Sequence, residues 1–102
     1  MLKLKTLSFH IGCDQNSEKI AKEKISKYIS RYISIKNYNI SSKVVYGYDT
    51  EVKVYIEFKN EISFSTLLKI LSNIYVYTLN YRTNSCGEHE VTVNISTDIL
   101  NN

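Results

Sequence analysis

The hydrophobic pattern of this chain reads strand–helix–strand twice, and the two repeats meet at one hairpin signal, Tyr46-Gly47-Tyr48-Asp49-Thr50. A pattern of that order demands one sheet shared by both repeats, with the helices packed on it. The repeats match in the order of their elements and hardly at all in residues. The reading is therefore one of architecture.

Leu7, Phe9 and Ile11 alternate with Ser8 and His10, which predicts a first strand over about residues 2–12. The apolar parity changes between Leu4 and Leu7, so a bulge near Lys5-Thr6, or a strand covered on both faces, is expected. Asp14, Asn16 or Ser17 can cap the helix that follows, over about 17–33. Ala21, Ile25, Tyr28, Ile29, Tyr32 and Ile33 form its apolar stripe, and Lys19, Lys22, Glu23, Lys27 and Arg31 take the other side. A strand over 39–46 leads into the Gly47 turn.

The clearest strand opens the second repeat, where Val52, Val54, Ile56 and Phe58 alternate with Glu51, Lys53, Tyr55, Glu57 and Lys59. Asn60 is expected to cap a helix near 61–73 built on Phe64, Leu67, Leu68, Leu71 and Ile74, and Asn73 to end it in the left-handed conformation. Tyr75, Tyr77, Leu79 and Tyr81 then alternate with Val76, Thr78, Asn80 and Arg82. Asn84-Ser85-Cys86-Gly87 turns the chain into a last strand with Val91, Val93 and Ile95. The expected fold is α+β: two βαβ-type motifs, at about 1–47 and 48–102, forming a ferredoxin-like or related sandwich with an extra C-terminal strand.

At 102 residues there is room for one core and one domain. Proline is absent and glycine occurs three times, so no flexible linker divides the chain. The charge-poor run from Ile62 to Tyr81 carries Lys69 and changes period partway, which argues against a membrane span. The N-terminus alternates like a strand and lacks a signal-peptide core, so the glycosylation-like triplets at Asn39 and Asn94 are expected to be chance and the protein to stay in the cell that makes it.

His10-x-x-Cys13 and Cys86-x-x-His89 formally complete a tetrahedral zinc set. The expected topology separates them, because the end of the first strand and the Cys86 turn fall at opposite ends of the sheet. Neither a metal nor a disulfide is expected. Glu88-His89-Glu90 sets a histidine between two carboxylates, yet strand neighbours point to opposite faces, so no catalytic pairing is expected either. No nucleophile elbow or glycine-rich phosphate loop occurs. The chain reads as a non-enzyme without a cofactor.

Two binding readings remain. The nine tyrosines supply contact area at low entropic cost. Tyr75, Tyr77 and Tyr81 are expected on one strand face, with Tyr46 and Tyr48 flanking the central turn. Together they predict capture of an extended peptide in the groove between the motifs or at a strand edge, with homodimerisation through an edge as another use of that surface. The alternative is nucleic-acid binding by Lys22, Lys27 and Arg31 with the strand tyrosines stacking bases. A net charge of +3 is a small excess for that task, and Glu18 and Glu23 dilute it.

Heavy use of Ile, Lys, Tyr, Asn and Ser in so short a chain resembles the small proteins of filamentous viruses of hyperthermophilic archaea, the Acidianus filamentous virus set. The resemblance lies in composition, length and element order across the whole chain. It implies a viral accessory protein in the host cytoplasm that binds a host or viral protein. It carries no functional residue onto this sequence.

Overall fold

A computed structural model describes residues 2–101. In chain order the elements are β1 (Lys3–Gly12), α1 (Glu18–Ile29), β2 (Tyr38–Val45), β3 (Glu51–Ser63), α2 (Phe64–Leu71), β4 (Val76–Thr83) and β5 (His89–Ile95). The class is α+β, with a five-stranded mixed sheet and two helices.

The sheet order is β2-β3-β1-β5-β4. β3 runs antiparallel to both β1 and β2, β5 runs parallel to β1, and β4 runs antiparallel to β5. Strands of the two motifs therefore interleave. They do not lie side by side, so no single seam divides the sheet into halves. The motifs face each other instead in the helix layer, where the Tyr28 hydroxyl of α1 donates to the Ile70 carbonyl of α2.

Alternation decides the core. Leu7, Phe9 and Ile11 of β1, Val52, Val54, Ile56 and Phe58 of β3, and Val91, Val93 and Ile95 of β5 all point to the helices and are buried. Each such side chain contributes roughly 1.5–3 kcal/mol by leaving water. Ala21, Ile25 and Ile29 of α1 and Leu67 and Ile70 of α2 close over them. The parity change in β1 is a bulge: the register shifts between Leu4 and Thr6, so Leu4 and Leu7 are both fully buried. Lys5 uses the kink to donate to the Phe58 carbonyl at 2.8 Å.

Three boundaries differ from the sequence reading. Asn60 does not cap a helix, because β3 continues to Ser63 and buries Ile62 against Leu4. Ser63 is the cap, its side chain accepting from the Thr66 amide at 3.2 Å. Asn73 is not left-handed; its amide donates to the Tyr32 hydroxyl at 2.7 Å. α1 ends at Ile29, and Tyr32 and Ile33 reach the core from the turn that follows.

Candidate functional site

The fifth strand outruns the helix layer. An α-helix with its side chains is about 10 Å wide and neighbouring strands lie about 4.8 Å apart, so two helices cover about four strands. α1 packs on β2 and β3, and α2 on β3 and β1. β4 is left at the far edge, and every residue from Tyr77 to Thr83 is exposed.

A bulge then splits its side chains between two faces. Val76 pairs with Ile95 and Thr78 with Asn94, leaving Tyr77 as the extra residue. Beyond it Leu79, Tyr81 and Thr83 stand opposite Val93, Val91 and His89, on the helix side. Tyr75 and Tyr77 lie on the open side, with ring centroids 5.0 Å apart. The three tyrosines expected on one face thus occupy two, because one inserted residue reverses a period of two.

The backbone of the edge follows from the β4–β5 turn. Asn84 donates to the Glu88 carbonyl at 2.9 Å, Gly87 donates to the Asn84 carbonyl at 3.0 Å, and Gly87 has φ +79°. This is a three-residue hairpin loop closed by a left-handed glycine. Asn84 and Glu88 form a hydrogen-bonded pair, and such pairs alternate along an antiparallel ladder. Arg82, Asn80 and Thr78 therefore turn their backbone groups to β5. Leu79, Tyr81 and Thr83 turn theirs outward to the free edge.

Around those outward groups lies an apolar strip. Leu79 is 49% exposed and Tyr81 47%. The Tyr81 hydroxyl bonds the His89 ring nitrogen, and its ring stacks on His89 and meets the edge of Phe64, 6.1 Å away. Leu68 follows Phe64 by one helical turn on the flank of α2 that faces β4, and it is 65% exposed. The single charged side chain of β4, Arg82, is held by Glu90 at 2.7 Å. Leu79, Phe64 and Leu68 were missed as site residues in the sequence, where Phe64 and Leu68 read as the apolar stripe of a helix and Leu79 only as one member of the alternating row.

The remaining candidates lie elsewhere. Tyr46 and Tyr48 are exposed at the β2–β3 turn, which begins from the opposite edge of the sheet. Between that turn and Tyr77 the open face forms a hollow of about 340 Å³ bordered by His10, Thr50, Glu51 and Asn94. His10 lies 3.8 Å from Glu51, but burial and then Lys53 lower its pKa, so the two do not form an ion pair at neutral pH.

Lys27 and Arg31 line a hollow of about 90 Å³ with Lys24, Tyr28, Asn73, Ile74 and Ile99. Arg31 stacks over the Tyr28 ring at 5.6 Å. Lys22 is not part of it, lying about 140° around the helix from Lys27. Lys24, three residues before Lys27, takes its place, and that spacing was the available signal. These cations sit in the helix layer, across the sheet from Tyr75 and Tyr77.

Cys13 follows the end of β1, whereas the Cys86 turn leads into β5 beside the start of β1, where Leu4 pairs with His89. Burial raises the Cys13 pKa, so its thiol stays protonated. Among the described residues no group of three or more His, Cys, Asp or Glu side chains could hold a metal. Glu90 faces Arg82 while His89 faces Tyr81, on opposite sides of β5. Among the described residues no helix is long and apolar enough to cross a membrane. No protein-family model, curated protein or solved structure matches the chain.

Proposed function

We propose that this protein is a non-enzymatic interaction module that takes an extended segment of a partner protein onto the free edge of β4. The observation that carries the reading is the outward backbone of Leu79, Tyr81 and Thr83, set in a strand exposed from Tyr77 to Thr83 with half-covered apolar side chains. A strand added there gains main-chain hydrogen bonds from the edge and apolar contact from Leu79, Tyr81 and Leu68. Tyr75 and Tyr77 supply a second contact on the open side. The composition supports a viral accessory role in a host cytoplasm, with a host or viral protein as the partner.

We read the sheet as a ferredoxin-like arrangement with one strand inserted. Removing β5 leaves β2-β3-β1-β4, with β4 antiparallel to β1, the order two split βαβ units produce. On this reading the insertion is functional, since it moves β4 outward by one strand and uncovers it.

Titration of short extended peptides into isotope-labelled protein tests the proposal. Binding is expected to slow amide exchange at Leu79, Tyr81 and Thr83 and to change little with salt. Binding by polynucleotide alone, with a steep loss of affinity at high ionic strength, overturns it.

A further inference from the structure

We infer that the segment fitted to this edge is β4 of a second copy, so that the chain pairs β4 to β4 about a two-fold axis; the inference rests on β4 being the docking edge.

Edge geometry supplies the first argument. Outward backbone groups fall on alternate residues, Leu79, Tyr81 and Thr83, so an antiparallel copy can set outward residue against outward residue, donors against acceptors. A two-fold axis perpendicular to the sheet keeps both helix layers on one side. Residues on like faces then meet, and the pairing is centred on a residue, not between two.

Side chains choose among the centres. Centring on Arg82 sets two arginines directly opposite, which is unfavourable. Centring on Asn80 sets each Leu79 against Tyr81 of the second copy on the helix side and each Arg82 against Thr78 on the open side. The half-exposed apolar groups then cover one another twice. Phe64 and Leu68 of both copies flank the junction. No charge opposes the approach, because Arg82 is neutralised by Glu90 within its own chain. Natural edges that must stay unpaired carry a lysine or a proline, and β4 has neither.

Sedimentation equilibrium from low to high micromolar concentration, with amide exchange on the same samples, tests this. A monomer–dimer equilibrium is expected, with protection at Leu79 and Tyr81 rising with protein concentration. Leu79→Lys changes a half-exposed side chain outside the core, and circular dichroism checks that it folds. It should raise the dissociation constant at least about tenfold. Ser41→Lys on the opposite edge should leave that constant unchanged.

A protein that stays monomeric while Leu79 and Tyr81 exchange freely overturns the inference. So does a dimer indifferent to Leu79→Lys. In either case the docking edge itself is judged separately with synthetic peptides. Protection of the Leu79 and Tyr81 amides by an extended peptide other than residues 76–83 rejects the second copy and keeps the edge. Protection by no peptide rejects both.

Discussion

β2 and β4 are the two edges of one sheet, and the chain treats them in opposite ways. β2 lies under α1. Tyr38 is 3% exposed, and its hydroxyl meets the Ser26 and Ser30 hydroxyls at 2.9 and 3.0 Å. Ser42 donates to Glu18 of the same helix at 2.9 Å. The tyrosines of β4, Tyr77 and Tyr81, are by contrast 64% and 47% exposed. A covered edge spends its tyrosine on the fold. An uncovered edge keeps tyrosine available for another chain.

Substituting one tyrosine from each edge gives the largest contrast. Tyr38→Ala removes a buried ring and takes the Ser26 hydroxyl's partner away, and should lower unfolding free energy by about 3–5 kcal/mol. Tyr81→Ala loses a half-exposed ring and should cost about 1–2 kcal/mol. Urea denaturation of both variants measures the difference. Equal losses would mean that β4 is held into the fold as firmly as β2, and the contrast between the edges would be gone.

Much of this architecture is legible in the sequence, and the reasons it stops are local. The alternation at Val52–Phe58 and the stripe at Ala21, Ile25 and Ile29 identify elements because each buries one face only. The parity change at Leu4 and Leu7 likewise betrays a bulge, since both residues are apolar and both must be inside. The bulge at Tyr77 leaves no such trace. Tyrosine and leucine at 75, 77, 79 and 81 suit either face of an exposed strand, so no hydrophobic mismatch reports the extra residue.

The position of β5 is hidden for a different reason. Val91, Val93 and Ile95 announce a strand with one buried face, but an insertion between β1 and β4 buries the same face as an addition at the edge. Only long-range pairing separates the two outcomes, and the parallel match of Leu7, Phe9 and Ile11 with Val91, Val93 and Ile95 decides it. Because the exposed edge follows from that pairing, its apolar strip could not be foreseen.

The turns leading to the two edges sharpen the contrast at intermediate size. Gly87 has φ +79°, a conformation that a side chain resists, so Gly87→Ala should destabilise by about 1–2 kcal/mol. Gly47, in the β2–β3 turn, has no positive φ, and an added Cβ would meet nothing nearer than the Asp49 carbonyl at 3.9 Å. Gly47→Ala should stay within about 0.5 kcal/mol of the parent. Thermal melts of the pair check this. A neutral Gly87→Ala would mean that the β4–β5 hairpin adopts its register without the left-handed turn, and the outward assignment of Leu79 and Tyr81 would lose its anchor.

The smallest effect lies midway between the edges, at His10 on β1. Tyr77 from β4 and Thr50 and Glu51 from the β2–β3 hairpin border its hollow, and Glu51, Lys53 and Lys43 act on its charge. Burial and the two lysines outweigh Glu51 and hold its pKa below the ordinary 6.5. In the window between that lowered value and 6.5 the unfolded chain binds more protons than the folded one, so stability falls as pH drops through it. Above 6.5 the contribution of neutral His10 is fully present. The urea midpoint of the parent should therefore decline on acidification from about pH 8 to pH 5 more than that of His10→Gln. Adding Tyr77→Ala to the parent opens the β4 side of the hollow to water and should shrink the decline, whereas Tyr48→Ala, at the tip of the other hairpin, should leave it alone. An equal response to both substitutions would show that the open face does not distinguish the two edges, and that the difference between them is confined to the helix side.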